Sequence, residues 1–407
     1  MSITLKKSKI AKQSTIQITG SKSESNRLLL LQALYPSITL SNVSNSDDSQ
    51  LMTKALASTS NVIDIHHAGT AMRFLTAFLA VQEGKEVVIT GSKRMKERPI
   101  KILVEALQAL GAHITYTENE GVPPLKIVGK KLNAHKVSLK ANVSSQYISA
   151  LLLIASKLEN GLELTLEGEI TSIPYINMTL SLLDEIGVDT TFKNNVITVK
   201  PKLDALKTTN LTVESDWSSA SYYFSLAALS DIGTEITLSS YKQNSLQGDS
   251  TLVDIYKNFG VETHFNKNSV VLKKVAAHHS TLTLDLKNAP DIAQTIAVSC
   301  FALGMSCDLT GLHTLKIKET DRLVALKTEI EKLGGFVDIT DKSLHLKAST
   351  TIKNMVSIAT YNDHRMAMAF APLALKTDLV IEAADVVSKS YPTFWEDLQA
   401  IGYQITK

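Results

Sequence analysis

The stretch Leu252–Phe265, LVDIYKNFGVETHF, reads as an amphipathic helix that stops on a glycine and turns directly into a strand. After a polar turn, Val270–Leu272 reads as a second strand that closes a hairpin. The arrangement recurs at Ile102–Leu110 with Gly111 and His113–Thr117, closed by Leu125–Val128. It recurs again at Leu180–Ile186 with Gly187 and Val188–Phe192, closed by Val196–Val199, and at Leu323–Leu333 with Gly334 and Phe336–Ile339, closed by Leu344–Leu346. The four marker glycines lie 76, 73 and 74 residues apart. A weaker fifth copy is Phe394–Ala400 with Gly402 and Tyr403–Thr406, and a sixth is expected at Leu51–Ala57 leading into Val62–Ile65. Glycine after a helix supplies the left-handed residue that lets the next strand fold back on it.

Helix and strand alternate throughout, so the fold class is α/β or α+β. The repeats divide three and three near Thr208–Ser215, with a second crossing near Thr19–Lys22. The expected domains are residues 1–20 with 214–407, and an inserted domain at 21–213. A solenoid of stacked repeats fits poorly, because the period is long and the material between copies is irregular.

A chain of 407 residues exceeds one ordinary core, and 44% hydrophobic with 20% charged residues is the balance of a soluble globular protein. A formal net charge of +2 argues against a broadly basic nucleic-acid binder. Cys300 and Cys307, the two cysteines, allow neither a disulfide framework nor a four-cysteine zinc site, and read as small buried residues. No apolar stretch follows the lysines of Met1–Thr15, and the longest apolar run, around Ile148–Ala155, is far short of the roughly 18 residues of a membrane span. The protein is therefore expected in the cytoplasm, with no membrane or nucleic-acid partner.

Six of the 42 basic residues are arginine: Arg27, Arg73, Arg94, Arg98, Arg322 and Arg365. Lysine replaces arginine readily on a solvated surface, but not where a planar fork grips a carboxylate or phosphate. Arginines that persist in so lysine-rich a chain are candidates for anion recognition. Most lie in short segments at helix starts: GSKSESNR (Gly20–Arg27), HAGTAMR (His67–Arg73) and RMKERP (Arg94–Pro99). VSSQ (Val143–Gln146) caps another helix, its hydroxyls free either to bind a ligand or only to cap. In the second half, Asp291 follows Pro290 at a helix start, KETDR (Lys318–Arg322) opens another, and YNDHR (Tyr361–Arg365) a third; Lys389 stands near Pro392. Helix N-termini attract anions, and mixed carboxylates and cations suit acid–base work. His364 beside Asp363 is a poor metal pair, since neighbours at a helix start rarely share one ion.

Taken in order, GSKSESNR, HAGTAMR, RMKERP, VSSQ, IKETDR and YNDHRMA resemble the segments of the 5-enolpyruvylshikimate-3-phosphate synthases, enolpyruvyl transferases, over nearly the whole chain. The resemblance implies two domains, each of three βαβαββ units about a pseudo-threefold axis, with the active site in the cleft between them. It implies transfer of the enolpyruvyl group of phosphoenolpyruvate to the 5-hydroxyl of shikimate 3-phosphate, with no cofactor, no metal and a monomeric enzyme. Carried over by position, Lys22, Ser23, Arg27, Ser144, Ser145, Gln146, Ser172, Tyr175, Asp291 and Lys318 would contact shikimate 3-phosphate. Lys22, Gly69, Arg98, Gln146, Arg322, Arg365 and Lys389 would contact phosphoenolpyruvate, with Asp291, Glu319 and Lys22 as the catalytic groups. His67 stands where that family has Asn, Thr314 where it has Asn, Thr19 where Pro is common, and Glu24 adds a negative charge.

The sibling transferase that acts on UDP-N-acetylglucosamine places a reactive Cys in the first half of its chain, whereas both cysteines here lie beyond position 299. A binding protein without catalysis would need no paired Asp291 and Glu319. The arginine argument makes a quantitative statement: Arg98→Lys raises the phosphoenolpyruvate requirement at least about tenfold, roughly 1.4 kcal/mol. Steady-state kinetics checks it, and an unaltered requirement would show the fork to be irrelevant there.

Overall fold

Among the residues described, five sheets are four-stranded and follow one plan. In three of them two parallel strands are joined by a helix, and a second helix then leads into an antiparallel hairpin whose last strand docks beside the second parallel strand; the other two reach the same strand order with a strand from the start of the chain. The sheet of Val62–Asp64, Glu86–Thr90, His113–Tyr116 and Leu125–Val128 is one example, and the sheet of Lys136–Lys140, Leu162–Glu167, Thr190–Lys193 and Val196–Val199 is another. The computed structural model describes residues 1–407 apart from 141–143, 169, 171–172, 203 and 205–206. It falls into two units, Met1–Thr19 with Glu214–Lys407, and Gly20–Val213.

In the first unit, two sheets borrow strands from the start of the chain. Gln13–Ile16 lies parallel to Glu235–Ser239, and Ile3–Lys6 sits between Leu379–Ile381 and Gln404–Thr406. In the Gly20–Val213 unit the third sheet has two parallel strands, Ile38–Ser41 and Thr209–Thr212. The expected sixth copy is corrected here. Helix Asp47–Leu56 is present, but Val62–Asp64 opens the next sheet, parallel to Glu86–Thr90, instead of folding back as a hairpin. No glycine ends that helix; Ala57 keeps a right-handed conformation, so the chain runs on.

The five true marker glycines, Gly111, Gly187, Gly260, Gly334 and Gly402, all have φ between 71° and 122°. The stretch that announced the repeat is less helical than it reads. Only Leu252–Ile255 is α-helix, followed by a 3-10 turn at Tyr256–Phe259 in which the two aromatic rings pack 4.6 Å apart. Several other helices begin earlier than their apolar runs: Lys22–Leu34 is helical from the residue after Ser21, whose hydroxyl accepts from the Glu24 N–H.

Helices that lead into the second strand of a parallel pair are enclosed on all sides. Ala293–Ala302 is buried along its whole length. Trp217–Leu229 is buried except at Ser218, Gly69–Ala80 except at Thr70, Ser145–Ala155 except at Ser145 and Gln146, and His364–Phe370 except at Arg365. Small hydroxyls satisfy one another where these helices touch: Ser221 and Thr295 at 3.0 Å, and Ser299 donating to Ser225 at 2.8 Å. Cys300 and Cys307 are both buried and free. No helix among the described residues is long and apolar enough to cross a membrane.

Gly260 gives the repeat its sharpest test. Its φ is +71°, and a Cβ there would lie 2.1 Å from the Ala276 carbonyl oxygen. Gly260→Ala is expected to lower stability by about 1–3 kcal/mol or more, seen as a lower urea midpoint. An unchanged midpoint would remove the glycine's role.

Candidate active site

In the Gly20–Val213 unit the predicted residues gather at the accessible first turns of the buried helices. The Lys22 ammonium lies 3.6 Å from Asp48 Oδ2, and Asp48 is also 3.8 Å from His67 Nε2. Thr70 Oγ1 accepts from Gln146 Nε2 at 3.2 Å, which ties the start of one central helix to the start of another. Ser144 caps the second of these, accepting from the Gln146 N–H at 3.4 Å. Ser145 opens that helix and Tyr175 lies in the next, Ile173–Glu185; Ser172 lies outside the described residues. Glu24, read as a charge near the site, is buried.

Arg98 lies flat against Gly69: a Cβ on that glycine would stand 2.4 Å from Nη1 of the guanidinium. The absence of a side chain therefore lets the fork approach the helix start. Arg73, buried, donates to the Gly69 carbonyl at 3.0 Å and to the Pro99 carbonyl at 3.0 Å; the Tyr147 hydroxyl donates to Pro99 as well, at 2.6 Å. These bonds brace both sides of Arg98. Arg27 is likewise buried and spent on neutral partners, donating to Thr179 Oγ1 at 2.8 Å, Ser149 Oγ at 2.9 Å and the Ser23 carbonyl at 2.7 Å. Burial pulls both buried guanidinium groups down to about 10. Arg94 departs from the arginine argument: it is exposed, and its partner is Glu97 at 2.9 Å.

The other unit holds a charge network centred on Arg322, which is 1% exposed. Its Nε donates to Asp363 at 2.6 Å, Nη1 to Asp291 at 2.9 Å and Nη2 to Glu319 at 2.8 Å. Asp291 is also 3.2 Å from the Lys318 ammonium and 3.3 Å from Arg365 Nη2. Asp363 in turn caps helix His364–Phe370, accepting from the Arg365 N–H at 2.9 Å. Lys389 joins from a separate turn, its ammonium donating to the Asn362 carbonyl at 2.6 Å. Five of the six residues expected in this unit thus form one network, and Lys389 touches the loop that carries the fifth. Thr314 lies in the neighbouring turn His313–Ile317, with its buried hydroxyl lacking a hydrogen-bond partner.

Burial alone would raise the Asp291 carboxyl, but Lys318, Arg365 and Arg322 outweigh it and hold the group well below the usual carboxylate range. Asp291 is accordingly held in its ionised form. Burial would also loosen the Arg322 proton, and the charges of Asp363, Glu319 and Asp291 reverse that, raising it above the usual arginine value. The sequence motifs do not include Asp48, Tyr147, Ser218 or Asp249, and HAGTAMR holds Thr70 without marking it, yet all contact these groups or their immediate supports. Each is an ordinary helix-start residue, and nothing in its spacing sets it apart.

The sequence model for EPSP synthase (3-phosphoshikimate 1-carboxyvinyltransferase) matches residues 54–398. The chain is 46% identical over 398 residues to a 3-phosphoshikimate 1-carboxyvinyltransferase of Bacteroides fragilis, covering 97% of this chain and 96% of that one. It is 36% identical to the protein of the same name from Vibrio campbellii, covering 96% and 97%. Among solved structures it resembles EPSP synthase from Acinetobacter baumannii, with a TM-score of 0.82 at 20% identity and full coverage of both chains. It also resembles the enolpyruvyl transferase NikO of Streptomyces tendae, with a TM-score of 0.75 at 12% identity, covering 100% and 98%. The two-domain enolpyruvyl transferase fold that the resemblance implies is the fold these structures share.

Asp363 is fully buried against Arg322. Asp363→Ala leaves that guanidinium short of a partner inside the protein, and is expected to cost about 3–5 kcal/mol of stability. Chemical denaturation measures it; a loss below about 1 kcal/mol would show that Glu319 and Asp291 suffice.

Proposed function

The chain belongs to the EPSP synthase family, and from that premise we propose that it transfers the enolpyruvyl group of phosphoenolpyruvate to the 5-hydroxyl of shikimate 3-phosphate, releasing inorganic phosphate. The observation that carries the reading is the network around Arg322, which sets two carboxylates, Asp291 and Glu319, among three cations. Addition needs a base for the 5-hydroxyl proton and an acid for the methylene carbon of phosphoenolpyruvate. Elimination breaks the carbon–oxygen bond to phosphate and returns the methylene proton. Asp291, beside the Lys318 ammonium, is proposed to take the hydroxyl proton, and Glu319, with Lys22, to serve the methylene carbon and the departing phosphate.

The tetrahedral intermediate carries carboxylate and phosphate on one carbon, so fixed cations supply most of its stabilisation. Lys22, Gly69, Arg98 and Gln146 from one unit, with Arg322, Arg365 and Lys389 from the other, are proposed to take phosphoenolpyruvate. Ser23, Arg27, Ser144, Ser145, Gln146, Ser172 and Tyr175, with Asp291 and Lys318, are proposed to take shikimate 3-phosphate. The reaction as written draws on both units and on no cofactor. A single copy in the cytoplasm completes the proposal.

Purified protein is expected to release phosphate from phosphoenolpyruvate only when shikimate 3-phosphate is present, without added metal. Release with UDP-N-acetylglucosamine instead, or with neither acceptor, would overturn the reading. Glu319→Gln should lower turnover by about 10²–10⁴-fold while leaving shikimate 3-phosphate binding in place, and unchanged turnover would sink its assigned role.

A further inference from the structure

Asp249 and Ser218 belong to none of the segments that pointed to the site. Asp249 lies in the turn Gly248–Thr251 and is 5% exposed. Ser218 is the one residue of helix Trp217–Leu229 that is not buried. The Ser218 hydroxyl donates to Asp249 Oδ2 and accepts from Arg365 Nη2 at 3.2 Å. The same Nη2 is 3.3 Å from Asp291 Oδ2.

A hydroxyl has one proton to give. While that proton is committed to Asp249, a lone pair of Ser218 faces the guanidinium. We propose that Asp249, acting through Ser218, is a positioning residue that fixes the fork of Arg365 before phosphoenolpyruvate arrives. The inference rests on the role given to Arg365 above. It adds a second hold on that side chain: Asp291 grips it directly, and Asp249 grips it through one hydroxyl. An arginine whose plane is set in advance spends no binding energy on ordering itself when its anion binds.

The arrangement is sensitive to proton uptake. Asp249 is faced by the charges of Asp291, Arg365 and Asp216, with Ser218 as its hydrogen-bond partner. Burial first, and then the Asp291 charge, push its carboxyl up to about 6 against the opposing pull of Arg365 and Ser218. Above that value the carboxylate accepts from Ser218 and the hold on Arg365 is intact. As pH falls through it, the carboxyl is neutralised and the Ser218 proton loses the anionic acceptor that fixed its direction. The hydroxyl is then free to rotate, and the second hold on Arg365 weakens.

The chain has six arginines, so protein labelled with ¹⁵N-arginine yields six side-chain Nε–H signals, and Arg365→Lys identifies the one of interest. In the wild-type protein without substrates, that signal is expected to shift with a midpoint near pH 6, and the step should vanish in both Asp249→Asn and Ser218→Ala. A wild-type signal with no such step, or a step that survives in Ser218→Ala, would overturn the relay. At pH 8 both variants should raise the KM for phosphoenolpyruvate about tenfold while kcat changes less than threefold. An unchanged KM, or a loss confined to kcat, would refute positioning. Should Asp249→Asn not fold, Ser218→Ala alone decides. Because the spectrum is recorded on the resting protein, it judges the relay even if no acceptor-dependent phosphate release is found, an outcome that would count against the reaction alone.

Discussion

The architecture turns on a single constraint: a helix that leads into the second strand of a parallel pair is covered by sheet on one side and by other helices on the rest. Such a helix can be apolar for nearly its full length, and here it is. Water and ligands reach it only at the turn where it begins. That turn also carries unsatisfied N–H groups and the positive end of the helix dipole. Thr70, Ser145, Gln146, Ser218 and Arg365 are the polar residues that remain accessible on four of these helices, and every one is in a first turn. Site chemistry collects where the fold leaves no other place for it.

The two units then use their buried arginines in opposite ways. Arg27 and Arg73 face hydroxyls and backbone carbonyls, and burial weakens their hold on the proton. They act as clamps between helices and loops, at the cost of desolvating a charge. Arg322 instead faces three carboxylates, each from a different segment, and its proton is held more tightly than in water. One guanidinium thereby sets Asp291, Glu319 and Asp363 relative to one another. Lysine, a point charge with no fork, could not span the three directions at once.

How much of this was legible follows from what each signal is made of. A glycine after an amphipathic helix is a local, sterically enforced mark, so the repeat was readable, and all five marker glycines adopt the left-handed conformation. The copy at Leu51–Ala57 misled because it had the helix and the strand but not the glycine, and without that turn the strand joined the next sheet. The central helices gave little periodicity, being apolar on every face. Of the rare arginines, Arg98 lies beside the helix start at Gly69 and Arg322 and Arg365 stand in one charge network, whereas Arg94 is exposed and its ion pair with Glu97 is an ordinary surface contact. Asp249 and Ser218 were out of reach of spacing altogether: 31 residues separate them, and only the packing of the turn Gly248–Thr251 against a helix start brings the carboxylate to the hydroxyl.

The strand Ile3–Lys6 has a consequence for how the chain is made. Its two neighbours are Leu379–Ile381 and Gln404–Thr406, far along the chain, so its pairing waits until they have been made. Gln13–Ile16 likewise waits for Glu235–Leu238. Gly20–Val213, by contrast, holds both members of every strand pair it uses by the time Thr212 has been added. Synthesis therefore imposes an order, with the inserted unit able to assemble while the unit that encloses it is still open. Pairing across so long a separation is slow, and an unpaired edge is a surface on which chains aggregate. Nascent chains halted short of Gln404 would carry that liability at Ile3–Lys6.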